Sequence, residues 1–432
     1  MQSGAGGWPT PSKAGKVWRR TDPGCDLPIE SGRSLESRRM MELRRYREGD
    51  MDALSRLGVA AFGGSVSDWE EYFDPGRNAR LDPEQVHVIE EDGEARASTT
   101  VLPLESFVDG EPYPMGGIAA VMAHPAYRRR GYAGILMRAV LRDMRGRDIH
   151  LSLLAPFAHA FYRIFGYELA TEGIEYRLKP TDLSTSPEQS HLRAYREEDL
   201  PKLMALLEEE AREHPLCVRR SEGHWKTTLA EKDKEVAVYE RDGGVEGYIL
   251  YKMSGWREDR SPHRTLSARE VAGATSRARE AIFSFMAGLD PQVFEIHLYT
   301  SRGEPLHPYL RSSHVNAKFV PDQMLRLVDV ESALGYLDRK TGSPLVLQVS
   351  DDVIPENAGE YTLAEGEVVR GAEAEERVSL DVRQLAQLYA GYLPVRGLAR
   401  HGLIEASSQG ALELLETLFP VGDPTLFGPD HF

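Results

Sequence analysis

The chain reads as an α+β protein in which one domain is duplicated and a third α+β domain follows. Three observations carry that reading. Leu43-Arg-Arg-Tyr46-Arg47-Glu48-Gly-Asp50 recurs as Leu192-Arg-Ala-Tyr195-Arg196-Glu197-Glu-Asp199, an offset of 149 residues. Val88-Ile-Glu90-Glu-Asp92-Gly93 recurs as Val238-Tyr-Glu240-Arg-Asp242-Gly243 at an offset of 150, and two signatures at near-constant spacing mark a duplication. From about residue 326 the pattern changes. Leu345-Val-Leu-Gln-Val349 reads as a strand, Asp351 to Leu363 as a turn feeding another, and Leu385, Leu388, Tyr389 and Ala411, Leu414, Leu415, Leu418 as two helices.

Composition sets the class. A length of 432 residues allows two to four domains, and 41% hydrophobic with 28% charged residues excludes a disordered chain. No apolar run approaches the ~20 residues that span a bilayer, and residues 1–39 hold no hydrophobic segment of a secretory leader. Cys25 and Cys217 are too few for a disulfide framework and show no metal-ligand spacing. A cytoplasmic enzyme is the expectation. The net charge of −16 disfavours a nucleic-acid binder and weakly favours cationic small molecules or basic protein segments.

Residues 1–39, rich in Gly, Ser, Pro and Arg without periodicity, read as a disordered tail. The first domain is drawn over 40–185 and the second over 186–325, with Pro180 to Ser190 as the linker; the third takes 326–432. Each copy opens on a short strand running into a helix capped by Asp50 or Asp199, and later turns at Asp-Gly in a hairpin. In the first copy Gly117-Ile-Ala-Ala-Val-Met-Ala123 is an apolar strand and His124-Pro125-Ala126 a turn. Tyr132, Ile135, Leu136, Ala139 and Val140 then repeat at helical spacing. Between them stands Arg128-Arg-Arg-Gly131-Tyr-Ala-Gly134. A helix start presents unpaired amides and positive dipole potential to phosphate oxygens. Glycine lets the backbone approach closely, and arginines add charge-assisted contacts. An acyl-CoA pyrophosphate would fit such a cradle; the glycine spacing is wrong for a dinucleotide fold, and no Gly-Lys-Ser/Thr follows. A solvated basic turn is the competing reading. Leu151 to Leu154 is the next strand and Ala158 to Ile164 a short helix. The second copy lacks the loop: Glu270-Val-Ala-Gly273 leads through Arg279 straight into a helix over Glu280 to Met286. The first copy is therefore expected to bind the cofactor and the second to serve as scaffold.

The pattern Arg128-x-x-Gly131-x-Ala133 resembles the acyl-CoA signature of the GNAT N-acetyltransferases. Further matches are Phe161-Tyr162-Arg-Ile-Phe165-Gly166-Tyr167, Val349-x-Asp351 through Asn357-x-Gly359-x-Tyr361, and the aromatic ending Phe427-Gly-Pro-Asp-His-Phe432. With them, residues 41–432 resemble the enhanced intracellular survival (Eis) acetyltransferases. That resemblance implies tandem GNAT folds, each a mixed sheet with helices on both faces, the second degenerate, then a sterol-carrier-protein-like α+β domain. It implies acetyl-CoA as co-substrate, no metal, no membrane, a hexamer, and primary amines of aminoglycoside-like cations as acceptors. Protein lysine acetylation and a non-enzymatic lipid-binding or scaffold role are the alternatives. Ala133-Gly134 stands where the family often carries bulkier aliphatics.

Position by position, the resemblance implies that Val121, Met122 and Ala123 bind pantetheine through their backbone, as a substitute strand would. Arg128, Arg129, Arg130, Gly131, Tyr132, Ala133 and Gly134 would hold the pyrophosphate, and Phe157 and Ala158 the thiol end. Tyr162 matches the family's catalytic tyrosine, the proton donor to the leaving thiolate; a core tyrosine is the competing reading. Ordinary pKa values of ~10 and roughly 8.5 make that transfer uphill by about 2 kcal/mol. The α-carboxylate on Phe432 is implied as proton acceptor. At a pKa of ~3.5 it would take the proton from the acidic N–H⁺ of a tetrahedral intermediate, not from a free ammonium. The Val121 amide is a candidate oxyanion donor, and His159 and His431 are substitute bases. Phe62, Asp68 and Trp69 are candidates for the acceptor wall, where an aromatic and a carboxylate would suit a polycationic amine.

Overall fold

The computed structural model describes residues 41–255 and 264–432, all within one compact unit; the 1–39 tail and Cys25 lie outside the described residues. The chain begins with β1 (Met41–Arg45), α1 (Met51–Phe62), α2 (Val66–Phe73), β2 (Val86–Glu91), β3 (Glu94–Val108) and β4 (Glu111–Ala123). It continues with α3 (Tyr132–Arg145), β5 (Leu151–Leu154), α4 (His159–Arg163), β6 (Glu168–Leu169) and β7 (Glu172–Leu178). The plan then repeats: β8 (Leu192–Ala194), α5 (Leu200–Arg212), α6 (Glu222–Ala230), β9 (Lys234–Arg241), β10 (Gly244–Met253), β11 (Arg264–Gly273), α7 (Ser276–Ala287), β12 (Val293–Ser301), β13 (Asn316–Pro321) and β14 (Met324–Leu327). The last part holds α8 (Val330–Leu334), β15 (Leu345–Ser350), β16 (Gly359–Ala364), β17 (Glu367–Arg370), β18 (Glu376–Asp381), α9 (Val382–Tyr389), α10 (Val395–Arg400), β19 (Ile404–Ala406) and α11 (Gln409–Leu418).

Two seven-stranded mixed sheets run β1-β2-β3-β4-β5-β14-β6 and β8-β9-β10-β11-β12-β7-β13. Their orders coincide except that the sixth strands are exchanged. β7 follows β6 in the chain but pairs antiparallel with β12 and β13 of the second sheet. β14 follows β13 and returns to pair with β5 and β6 of the first. Helices cover both faces of the first sheet: α1 and α2 with Val86 and Val88, α3 with Ile89 and Ala97. A third sheet, β17-β16-β15-β18-β19, carries α9 to α11. Its helix α9 packs Leu385, Ala386 and Leu388 in one core with Leu151, Leu153, Leu325 and Leu327 of the first sheet. Leu151 to Leu154 is buried on both faces, three leucines with Ser152 between them, whose hydroxyl donates to the Gly116 carbonyl at 2.9 Å. No helix among the described residues is long and apolar enough to cross a membrane.

The duplicated signature is an ion-pair triad. Arg44 donates to Asp50 at 2.6 and 2.8 Å and to Glu90 at 2.8 Å. Arg193 repeats this with Asp199 at 2.7 and 2.8 Å and with Glu240. That corrects the capping expectation: Asp50 and Asp199 occupy the cap positions in helical conformation, but their carboxylates make no cap bond to α1 or α5; they accept from the arginines and from the Arg47 and Arg196 amides at 2.7 and 2.8 Å. The hairpins are as read, with Asp92-Gly93 and Asp242-Gly243 at φ of 57°, 79° and 50°, 81°. Helix α7 begins four residues before Glu280, because the Thr275 hydroxyl accepts from the Ala278 amide at 3.2 Å and starts it there. The Pro180 to Ser190 stretch contains short 3-10 turns, and Ser186 donates to Ser284 of α7 at 2.8 Å.

Candidate active site

Opening of the site begins with a strand defect. Ala97 and Ser98 of β3 pair with Ala123 and Met122, and Thr100 with Ala119, so Ala120 and Val121 together oppose Thr99. This β-bulge puts Ala120 at φ 48°, and the Thr99 hydroxyl donates to the Ala119 carbonyl at 3.2 Å. β4 runs parallel to β5 only from Met115↔Leu151 to Ile118↔Leu154. Beyond Ile118 the two strands part, and the β5-facing edge of Ala119–Ala123 has no strand on it. A cleft of about 610 Å³ fills the gap, lined by Val121, Met122, Ala123, Phe157 and the loop Arg128–Gly134.

At the far end stands the start of α3. Gly131 precedes it in the left-handed region, φ 84°, with nothing near where a Cβ would sit. The first intrahelical bond is Ile135 N to Gly131 O at 3.0 Å, so the amides of Tyr132, Ala133 and Gly134 have no partner within the helix. Arg128 and Arg129 are exposed and form no ion pair among the described residues. Arg130 is engaged: it reaches Glu91 at 3.3 Å and lies 4.6 Å over the Tyr127 ring. A 14-residue helix with free amides, two unpaired arginines and room above glycine suits a diphosphate.

The near end is aromatic. Tyr162 on α4 is 3% exposed, packed among Phe157 and Phe161 with ring centroids 5.3 and 5.0 Å away. Burial pushes its phenol well above the usual tyrosine range, and no described residue hydrogen-bonds the hydroxyl. A second cavity of about 280 Å³ joins Tyr162 to Phe432, Phe62, Trp69, Tyr72, Ala155 and the Ile118–Val121 edge. It shares Phe62, Val121 and Phe157 with the larger cleft. The Phe432 ring presses on β4 so closely that a Cβ at Gly117 would lie 2.9 Å from it. No charged side chain lines this cavity.

Other sequence candidates sit elsewhere. Asp68 lines neither cavity: its carboxylate accepts from the Ser65 amide at 2.9 Å in the capping box of α2, which holds its pKa down. Ala158 precedes α4 and His159 opens it, and neither lines either of these two cavities. Both ring nitrogens of His431 are engaged, Nε2 with Asp322 at 2.7 Å and Nδ1 with the Gly428 carbonyl at 3.0 Å. Tyr167 is fully buried with its hydroxyl 2.7 Å from Ser152. Cys217 is buried and free, its thiol pushed up by burial. Sequence reasoning missed Ala61, Tyr72, Tyr127, Ala155 and Phe161. Tyr127 had a signal, an aromatic directly before three arginines; its ring is covered by Arg96 at 4.2 Å as well as by Arg130.

The chain matches an acetyltransferase (GNAT) domain over residues 42–170, a second GNAT domain over 216–327 and a sterol carrier protein domain over 329–427. An uncharacterized N-acetyltransferase of Streptomyces coelicolor is 24% identical over 399 residues, 86% of this chain and 95% of the relative. One from Streptomyces avermitilis is 25% identical over 324 residues, 70% and 78% of the two chains. The crystal structure of a GCN5-related N-acetyltransferase from Anabaena variabilis superposes with a TM-score of 0.80 at 23% identity, covering 91% of this chain and all of that one. Eis1 from Mycobacterium abscessus has the same fold at a TM-score of 0.74, with 23% identity over 91% of this chain and 100% of its own. Two GNAT domains followed by a sterol carrier protein domain, and relatives named for the same chemistry, make this chain a member of the GNAT N-acetyltransferase family.

Proposed function

We propose that the protein is an acetyl-CoA-dependent N-acetyltransferase acting on a primary amine of a cationic, aminoglycoside-like small molecule. The carrying observation is the continuity of the two cavities: the cleft at the free amides of α3 shares Phe62, Val121 and Phe157 with the cavity holding Tyr162 and Phe432. A diphosphate on Tyr132–Gly134 leaves an extended pantetheine to run along Val121–Ala123, delivering the thioester beside Tyr162. The amine nitrogen then attacks the thioester carbonyl directly. Val121 N–H steadies the oxyanion, and the carboxylate of Phe432 takes the proton from the acidic N–H⁺ of the adduct. As the C–S bond breaks, Tyr162 donates a hydrogen bond and finally its proton to sulfur. Because burial raises the Tyr162 pKa, complete transfer costs more than for a free phenol. The hydrogen bond to the developing thiolate therefore supplies most of the help. A hexamer is assigned on the family resemblance alone, and a cytoplasmic location on composition.

The acceptor wall bears on the amine. Rings of Phe62, Trp69, Tyr72, Phe157, Tyr162 and Phe432 suit a desolvated ammonium, at roughly 0.5–2 kcal/mol per well-placed ring. With Asp68 turned to its own helix, no carboxylate side chain helps hold a polycation there. The same wall therefore favours a second reading, an amine on an apolar or aromatic body. Acetyl-CoA turnover with an aminoglycoside panel, arylalkylamines and a lysine peptide decides. Aminoglycoside turnover supports the first reading, and arylalkylamines alone the second. Activity on the peptide alone replaces both with protein lysine acetylation. No acetyl-CoA binding, beside tight binding of a fatty acyl ligand, would leave the lipid-carrier reading.

A further inference from the structure

The second sheet repeats the geometry that opens the active cleft. β11 pairs in parallel with β12 only from Arg264↔Val293 to Ala268↔Leu298. A bulge stands at Arg269, where the pairing steps from Glu270↔Leu250 to Ala268↔Tyr251. Beyond it Arg269–Val271 face Tyr299–Ser301, as Ala119–Val121 face Ala155–Phe157 in the first sheet. Here the opening is full. Thr425, Leu426 and Phe427 lie in it, and only about 30 Å³ remains, against about 610 Å³ in the first domain. On the first turn of α7, Arg279 is bound to Glu210 at 2.8 and 3.0 Å and to Glu304 at 2.9 and 3.0 Å, so that guanidinium is not free for a diphosphate.

The segment that fills this opening is held firmly. Leu426 is fully buried, Phe427 packs edge-on to His214, and Gly428 passes so close to the Arg269 side chain that no Cβ fits. Arg220 then donates twice to Asp430, at 2.9 Å each, and twice to Glu270, at 3.1 and 2.7 Å, with all three side chains withdrawn from solvent. Tyr248 donates to Glu270 at 2.7 Å. One residue, His431, separates Asp430 from Phe432, a reach of about 7 Å. Arg80 of the first domain donates to the His431 carbonyl at 3.1 Å on the way. A chain end ordinarily frays because it gains backbone entropy. Burying a charge cluster to stop that makes sense where the segment's position matters.

We propose that the second GNAT domain is the receptor for the chain's own residues 425–430. Its cofactor opening has become a dock, and Arg220 and Glu270 are positioning residues that set Phe432 in the acceptor cavity. The catalytic part rests on the role proposed above for Phe432. Full-length Asp430→Ala removes the tether, and Gly428→Val displaces the segment while leaving the charges intact, should the first variant not fold. Amide exchange over residues 425–432, acetyl-CoA affinity and amine kinetics are read on each. Expected are exchange at least tenfold faster over 428–432, kcat down at least tenfold, acetyl-CoA Kd within twofold, and partial recovery in Asp430→Glu. Exchange that stays slow in both variants overturns the dock. A released segment with undiminished kcat overturns the positioning role. If deleting Phe432 leaves kcat intact, the proton-acceptor role falls, and the dock stands or falls on the exchange data alone.

Discussion

At the scale of single residues, the proposed chemistry concentrates on Tyr162. Its phenol is held above its ordinary pKa by burial, so it stays protonated through neutrality and beyond. Rate–pH profiles should therefore show no basic limb from this group below about pH 10. Tyr162→Phe should lower kcat by on the order of 10²–10⁴ with acetyl-CoA affinity unchanged; a parallel loss of cofactor binding would make the residue structural. Arg129 differs in kind. It is exposed and unpaired among the described residues, so Arg129→Ala should weaken acetyl-CoA binding by about 1.5–3 kcal/mol through a lost charge-assisted bond. Calorimetry showing no change would exclude it from the diphosphate site. These two candidates were legible in the sequence because each lies in a short motif. Asp68 was misjudged because a carboxylate three residues after Ser65 serves its own helix start, and only the hydrogen bond reveals which task it performs.

At the scale of elements, the bulge in β4 and the glycine before α3 make the site. Replacing Gly131 by Ala meets no neighbouring atom, so the cost should be that of the left-handed backbone alone, roughly 1–2 kcal/mol. A much larger loss of melting stability would show that the loop is packed more tightly. Two buried histidines set an acid limit. Burial, then Arg45, lowers His87 to about 4, and burial, then Arg80 and Arg220, lowers His224 to about 4 despite Asp430. Unfolded histidine titrates near 6.5, so the unfolded chain binds more protons between ~6.5 and ~4. Stability is then lost as pH falls through that window, by about 3 kcal/mol per histidine at most. Urea unfolding at pH 7 and pH 4.5 tests this, and equal midpoints would refute it. Neither the bulge nor these burials was readable from periodicity, because a β-bulge changes register without changing the apolar pattern.

At the scale of the molecule, the three parts are interlocked. A fragment covering 41–185 would lack β14, leaving an unfilled gap between β5 and β6 of its sheet. It should not unfold cooperatively in isolation, and a sharp two-state melt would contradict that. Arg326 on β14 is fully buried and bonded to Asp351 of the third domain, which also accepts from Asn357 at 3.0 Å. Asp351→Ala strands that guanidinium and should cost about 3–5 kcal/mol; a loss under 1 kcal/mol would show the pair to be incidental. The Val349-x-Asp351 to Tyr361 motif, read as a family mark, is thus a joint to the first sheet.

By itself the sequence determined the duplication, the Asp-Gly hairpins, the Arg128–Gly134 loop and the absence of such a loop from the second copy. All of these are written in residues adjacent along the chain, where spacing and conformational preference act directly. Only the tertiary structure decided that β7 and β14 trade sheets, that two cavities meet at Phe62, Val121 and Phe157, and that Leu426 to Asp430 lodge in the second domain. Those outcomes depend on which distant groups share a buried volume. Local spacing cannot encode that, because pairing energy and desolvation exist only once the chain has closed on itself.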